Sequence, residues 1–140
     1  MITVVADEIG RVSATHTPNY SNHGGRNKMK MVTCVVRPEK LESITDVLDK
    51  LHVVGMTVTD VRGFGRQKGQ VEHYRGGEYT IRFINKVRID IVVQDEDVKK
   101  VMDAVSKVAR TNNVGDGKIF VTPVDNAMRI RTGEVGTSAL

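Results

Sequence analysis

The chain of 140 residues contains no tryptophan, one cysteine and few aromatic side chains. A lone Cys34 cannot form an intramolecular disulfide, which favours a reducing compartment, and its position in the apolar run MVTCVV predicts a buried structural thiol. Three phenylalanines and three tyrosines leave little surface for stacking on nucleobases. No apolar run reaches the roughly 18 residues of a transmembrane helix, so we expect no direct insertion into a membrane.

Motifs of metal and nucleophile chemistry are also missing. The sequence has no H-E-x-x-H and no paired C-x-x-C, the spacings that would indicate zinc. None of the four histidines stands in a recognisable elbow or dyad with a serine or the cysteine. The sequence therefore gives no support to nucleophilic catalysis.

The composition is that of a globular domain with a mildly basic charge. Hydrophobic residues make up 39% and charged residues 27%, and the length suits one ordinary domain. A formal net charge of +4 and a pI of about 9.3 favour anionic partners. The charge alone does not distinguish polymers, nucleotides and small acids.

Residues 1–28 differ from the remainder of the chain. They mix small and polar residues with Pro18 and Gly24-Gly25, and they show no sustained helical or strand period. They lack the apolar region of a secretory signal, and Asp7 and Glu8 count against an organelle transit peptide, although the serine and threonine content leaves a plastid address open. We predict a flexible N-terminal extension over 1–28 and one domain over 29–140.

From Met29 the pattern predicts alternating strands and helices. KMVTCVV is a strand that ends before Pro38, and the apolar stripe of EKLESITDVLDKLHVV predicts a helix ended by Gly55. MTVTDVRGF and KVRIDIVV predict two further strands, DEDVKKVMDAVSKVAR predicts a second helix, and KIFVTPV predicts a fourth strand. The order βαββαβ is that of an α+β, ferredoxin-like fold with a four-stranded antiparallel sheet and two helices on one face.

Two candidate anion sites lie outside these elements. Glycines interleave with cations in RGFGRQKG and in GDGK, where backbone N–H groups can converge on phosphate. Neither stretch matches the dinucleotide fingerprint or the P-loop, and a phosphotransferase using GDGK would lack a catalytic base. AMRIRT predicts a short fifth strand on which Arg129 and Arg131 would share a face as a clamp.

The stretch RGFG also begins the signature of RNA-recognition modules. In this chain Arg66 and Gln67 replace the Phe-Val that should follow, and Gly69 replaces the last aromatic residue. A small basic RNA-binding domain of the RNA-recognition type is therefore kept as the alternative function.

Four longer sequence segments resemble those of a known protein family. VRGFGRQKG, EHYRGGEY, GDGKIFVTPV and MRIRTGE, in this order and spacing, closely resemble the PII family of nitrogen-regulatory signal-transduction proteins over 29–140. The resemblance implies a homotrimer whose intersubunit clefts bind ATP or ADP, and bind 2-oxoglutarate together with Mg-ATP. It also implies a T-loop at about 65–82, a B-loop at about 111–118 and a C-terminal segment at about 129–140.

The resemblance also implies a role for individual residues. The nucleotide-binding positions are Val35, Thr57, Gly63, Arg66, Gln67, Lys68, Asp90, Val92, Gly115, Asp116, Gly117, Lys118, Arg129 and Arg131. The 2-oxoglutarate positions are Gln67, Lys68, Gly69 and Lys86, and Gln67 would also ligate Mg²⁺. Tyr79 matches the tyrosine that some members uridylylate or adenylylate.

The implied role is regulation by binding, not catalysis, although slow ATP hydrolysis stays open. Expected partners are nitrogen-assimilation proteins such as an ammonium transporter or a glutamine-synthetase regulatory enzyme, with no nucleic acid, in the cytoplasm or a plastid. Departures from the family pattern at Arg82, Asn85 and Asn112-Asn113 affect loop mechanics, effector affinity and nucleotide preference more than the fold.

Overall fold

The computed structural model describes residues 5–6, 12–13, 28–65, 70–74, 77–81 and 83–140. The strands are β1 (Val5–Ala6), β2 (Val12–Ser13), β3 (Met29–Val36), β4 (Thr57–Gly63), β5 (Gln70–Tyr74), β6 (Gly77–Ile81), β7 (Ile84–Gln94) and β8 (Gly117–Val124). The α-helices are α1 (Leu41–Lys50) and α2 (Val98–Ala109). Short 3-10 helices cover Pro38–Lys40, Asp95–Asp97 and Gly136–Ala139.

Four strands form the main sheet in the order β4-β7-β3-β8, and every neighbouring pair is antiparallel. With α1 after β3 and α2 after β7, this is the predicted βαββαβ arrangement, which is confirmed. Strands β1 and β2 pair with each other, as do β5 and β6, outside the main sheet. None of the helices in the described part of the chain is long and apolar enough to cross a membrane.

Alternation along the central strands separates the two faces of the sheet. In β3, buried Val32, Cys34 and Val36 alternate with half-buried Thr33 and Val35. Strand β7 repeats the pattern, and the predicted face is confirmed by its buried residues Val87, Ile89, Ile91 and Val93. One face is therefore apolar core, while the opposite face keeps polar side chains.

Both helices close the apolar face. Helix α1 buries Ile44 and Leu48, and α2 buries Val101 and Val105, all in one cluster with the buried strand residues. Each such side chain contributes roughly 1.5–3 kcal/mol on removal from water, so these contacts fix the helices to the sheet. Among the described residues, neither helix covers the opposite face of the sheet.

Cys34 belongs to the core. Its side chain is fully buried, and burial together with the charge of Asp90 raises the pKa of the thiol to about 11. The thiol therefore stays protonated at neutral pH, and the prediction of a buried structural cysteine is confirmed.

Helix α1 ends earlier than predicted. The expected terminator was Gly55, but the last helical residue is Lys50 and the chain reverses at His52, whose φ is 59°. The N–H of His52 donates to the carbonyl of Asp49 and the N–H of Val53 donates to that of Leu48, at 2.9 and 3.1 Å. These two bonds form a Schellman cap, in which a histidine occupies the left-handed position that glycine usually takes.

The predicted fifth strand is wrong. Around residues 128–135 the backbone forms a single bridge, Met128 to Val135, closed by a tight turn in which the N–H of Gly133 donates to the carbonyl of Arg129 at 2.8 Å. Gly133 has a φ of +73°, a conformation that interrupts an extended strand. Arg131 lies in this turn, so the strand periodicity that would place it beside Arg129 does not apply.

The predicted polar loop at 65–82 contains a hairpin. Strands β5 and β6 pair in register from Gln70 with Ile81 to Tyr74 with Gly77. Residues 66–69, 75–76 and 82 lie outside the described residues. The β-branched and aromatic residues on either side of Gly76-Gly77 favour such a pairing. The many glycines and charged residues of the stretch favoured the prediction of a loop instead.

His52→Gly is expected to stabilise the fold. A residue other than glycine in the left-handed conformation destabilises the folded state by roughly 1–2 kcal/mol. Glycine avoids this cost but loses more conformational entropy on folding, so the net gain in unfolding free energy should be about 0.5–1 kcal/mol. Urea denaturation measures it. Lys50→Gly, inside the last helical turn, serves as the control and should lose stability by about the same amount; a loss in both variants would contradict the cap.

Candidate functional site

The turn at residues 115–117, called the glycine turn below, is pressed against the central strand. Gly117 opens β8 opposite Val36 and has a φ of +104°. A Cβ at this position would stand 1.8 Å from the carbonyl oxygen of Val35. Only glycine allows β8 to begin this close to β3, so the geometry of the turn depends on this residue.

Asp116 holds the turn in shape. Its carboxylate accepts hydrogen bonds from the backbone N–H of Thr111 at 2.7 Å and of Asn112 at 3.0 Å, and a short bond from the Thr111 hydroxyl. Arg37 Nε donates to it at 3.3 Å. The bonds from Thr111, followed by those from Arg37 and Asn112, lower the pKa of Asp116 to about 2. The side chain therefore organises the loop.

Two cations converge on the same turn. Arg37 Nη2 donates to the carbonyl of Val114 at 2.8 Å, and Lys86 Nζ donates to that of Gly115 at 2.6 Å. Burial, and next the charge of Arg37, lower the pKa of Lys86. Two basic groups beside a glycine turn give this place a positive charge, which favours an anion chemically.

Arg37 is absent from the residues predicted to bind a ligand. The sequence places it at the end of a strand before Pro38, where it looks like a terminal charge. Its place follows from the register, since Val36 pairs with Gly117 and the next residue must lie beside the turn. The signal lay in a strand pairing that the sequence alone does not give.

The back of the glycine turn borders a groove of about 420 Å³ between α2 and β8. Its lining includes the apolar Met102 and Ile119 and the cations Arg110 and Lys118. Strand β8 is an edge of the sheet, and Lys118 near its start is exposed.

A second cleft, of about 620 Å³, lies at the other edge of the sheet and is called the Arg129 cleft below. It is lined by Thr57, Asp90, Val92 and Arg129, all of them predicted to bind nucleotide, and by the connection that follows α1. Strand β4 begins at Thr57 opposite Asp90, so β7 continues past that point without a partner on this side. The missing strand pairing leaves the space for the cleft.

Asp90 is fixed on the face opposite the helices. It accepts a hydrogen bond from the Thr33 hydroxyl at 2.6 Å and two from Arg88 Nε at 2.9 and 3.1 Å. Burial raises the pKa of Asp90, but the bonds from Thr33 and Arg88 and the charge of Arg88 outweigh it, and the net pKa is lowered. The carboxylate is ionised and aligned as an acceptor at the wall of the cleft.

The predicted nucleotide residues thus form two groups. Thr57 belongs to one edge strand and Lys118 to the other, with β7 and β3 between them. Three strand spacings of about 4.8 Å separate the edges by roughly 14 Å. The glycine turn and the Arg129 cleft are therefore separate places on one subunit.

Some predicted residues are not brought to either place. Arg131 is exposed in its turn and lines neither the Arg129 cleft nor the groove beside β8. Val35, predicted to contact the nucleotide through its backbone, lies in an inner strand between β7 and β8, and that contact stays a prediction. Gly63 ends β4 next to Lys86, whose Cγ would lie 3.5 Å from a Cβ at position 63.

Other predictions fall outside the described part of the chain. Arg66, Gln67, Lys68 and Gly69 are among these residues, and of Tyr79 only the backbone, in β6, is described. Among the residues that the structure does describe, no group of three or more His, Cys, Asp or Glu side chains is placed to hold a metal ion. A metal ligated by Gln67 stays a prediction.

Comparison with known proteins supports one family. A family model described as nitrogen regulatory protein P-II matches residues 29–134. Nitrogen regulatory protein P-II of Synechocystis sp. is 53% identical, and nitrogen regulatory protein GlnK of Escherichia coli is 49% identical, each over 112 residues that make up 80% of this chain and 100% of the relative. The crystal structure of Arabidopsis thaliana PII bound to citrate superposes with a TM-score of 0.68 at 38% identity, covering 86% of this chain and 99% of that one.

Gly117→Ala and Gly133→Ala separate crowding from backbone strain. Both glycines have positive φ, but a Cβ at position 133 would meet nothing within 4 Å. We expect Gly133→Ala to lose about 1 kcal/mol of unfolding free energy. Gly117→Ala should lose about 1–3 kcal/mol more because of the contact with Val35. Chemical denaturation measures both losses, and equal losses would contradict the close approach.

Asp116→Asn tests the carboxylate through pH. Because the folded-state pKa lies below the ordinary value, Asp116 stabilises the fold above about pH 4, and this contribution disappears as the pH falls through about 2. The variant should melt at a lower temperature than the wild type at pH 7, and the gap should close as the pH falls from 4 to 2. Asp46→Asn, an exposed acid on α1, is the control; a gap that is constant with pH would show that the charge of Asp116 is not responsible.

Proposed function

Because this chain belongs to the PII family of nitrogen regulatory proteins, we propose that it senses adenine nucleotides and 2-oxoglutarate and regulates nitrogen-assimilation proteins by binding them. Its relatives are named regulatory proteins, not enzymes, and this is a regulatory protein. The proposal concerns the ligands, the assembly and the targets.

The observation that carries the proposal is the positive centre at the glycine turn. Arg37 and Lys86 reach the carbonyl groups of Val114 and Gly115, and Lys118 follows directly on the other side of the turn. Backbone N–H groups of the turn and these cations suit the phosphates of ATP or ADP. Gly115, Gly117 and Lys118 would bind phosphate directly, and Asp116 would hold them in place.

The second half of the nucleotide site would come from another copy of the chain. Thr57 and Arg129 line the cleft at the edge of the sheet opposite the glycine turn, and Asp90 and Val92 lie on β7, one strand in from that edge. A homotrimer would bring the Arg129 cleft of one subunit to the glycine turn of the next. The face opposite the helices, with Phe120 half exposed beside Thr33, would be covered in that assembly.

The acid would bind next to the nucleotide. Gln67 would ligate Mg²⁺ together with phosphate oxygens and the 2-oxo acid, while Lys68, Gly69 and Lys86 would hold 2-oxoglutarate. A dicarboxylate beside a triphosphate needs a hard cation and lysines to offset the repulsion between the anions. The Arabidopsis relative was solved with citrate, another small carboxylic acid, which is consistent with this chemistry.

Residues 65–82 would transmit the effect of ligand binding to the target protein. The acid-binding residues 66–69 directly precede β5, so ligand contacts there would change the position of the hairpin that meets the target. Candidate targets are an ammonium transporter or a glutamine-synthetase regulatory enzyme, in the cytoplasm or a plastid, and Tyr79 in β6 would be the site of nucleotidylation. The RNA-binding alternative gains no support, since the relatives carry regulatory names and Phe64 follows an edge strand.

Calorimetry on the full chain tests the proposed coupling. We expect 2-oxoglutarate to bind only when Mg-ATP is present, because Mg²⁺ and phosphate complete its site. Gln67→Ala should abolish binding of the acid and leave ATP affinity within a few-fold, while Gln70→Ala, the same change three residues along the chain, should leave both. Binding of the acid without nucleotide, or an equal effect of both variants, would count against the proposal.

A further inference from the structure

The C-terminal segment folds back on the Arg129 cleft. The N–H of Gly136 donates to the carbonyl of Ala127 at 2.9 Å, which closes the turn at 128–135 and directs the 3-10 helix Gly136–Ala139 toward the cleft. Thr137, Ala139 and Leu140 then line the cleft together with Thr57 and Asp90. The end of the chain thus shares the space that the proposed nucleotide site uses.

The guanidinium of Arg129 is engaged by this same segment. Its Nη1 donates to Glu134 Oε2 at 2.5 Å, and its Nη2 donates to the carbonyl of Leu140 at 2.9 Å. The Thr132 hydroxyl donates to the same oxygen of Glu134 at 2.7 Å and fixes the carboxylate in place. Both terminal nitrogens of the arginine therefore have partners within residues 129–140.

These contacts occupy the edge that an arginine presents to phosphate. A guanidinium binds phosphate with two parallel N–H groups, and here Glu134 and Leu140 each hold one of its terminal nitrogens. Glu134 also places a negative charge beside the arginine, which weakens its attraction for a second anion. Arg131, exposed two residues later, has no ion pair in the described part of the chain, in contrast to Arg129.

We propose that Glu134 and residues 137–140 form a built-in competitor that holds Arg129 away from phosphate, and that a nucleotide must displace it to complete its site. The inference rests on the proposed function, since it names a regulation of the same cleft. The ion pair is about two-fifths exposed on both sides, so the competitor is weak enough for a ligand to displace. The apparent affinity for the nucleotide is the intrinsic affinity multiplied by the fraction of molecules in which the competitor is open.

Titration of ATP into the full chain and two variants tests the competition. Glu134→Gln removes the charge, and a chain ending at Gly136 removes the Leu140 contact. Each should bind ATP about two- to fivefold more tightly, the range expected from an exposed ion pair. Glu42→Gln makes the same change of net charge on the exposed side of α1 and should leave the affinity unchanged.

Movement of the C-terminal segment can also be measured in the full-length chain. Cys34 is the only cysteine and is buried with a raised pKa, so Ser138→Cys, at an exposed position, takes a spin label selectively. Saturating ATP should increase the mobility of the label in the electron paramagnetic resonance spectrum. If the shortened chain does not fold, this measurement still tests the inference.

The outcomes are distinguishable. If the wild type binds ATP and Glu134→Gln binds equally or more weakly, Glu134 does not compete and the inference fails while the proposed function stands. A label at position 138 that ATP leaves unchanged overturns the inference in the same way. If neither the wild type nor any variant binds an adenine nucleotide, the proposed function fails together with the inference.

Discussion

The contact between Gly117 and the carbonyl of Val35 is the constraint on which the site depends. It allows β8 to start close beside β3, with Gly117 opposite Val36. Asp116 then ties that loop to Thr111, Asn112 and Arg37, and Lys86 reaches it from β7. A positive, preorganised turn is the result, built by a single strand register and not by a motif of its own.

The pairing of the edge strands explains why the glycine turn and the Arg129 cleft lie apart on the sheet. The turn follows from β8 at one edge of the sheet, and the Arg129 cleft follows from the late start of β4 at the other edge. No loop of the described residues spans the sheet to join them. The fold therefore presents two separate places, one rich in cations and one that holds an aligned carboxylate, Asp90, and an arginine already engaged by the C-terminal segment.

Burial made the fold predictable from the sequence. Val87, Ile89, Ile91 and Val93 alternate because one sheet face is packed, and the helix stripes follow from the same core, so these elements are confirmed. The predictions that were wrong concern local backbone geometry. A histidine closes α1 where glycine would be the usual signal, and the turn at Gly133 interrupts a segment that looked extended. Arg37 was missed because its neighbour across the sheet, 79 residues away, is fixed only by strand pairing.

The central claim is that the two halves complete one nucleotide site only when copies of the chain associate. Native mass spectrometry of the full chain with ATP tests it most directly, since the 15.5 kDa subunit and its assemblies are resolved together with their ligands. We expect a trimer that carries ATP and a monomer that carries none. A monomer that retains ATP as well as the trimer does would contradict it.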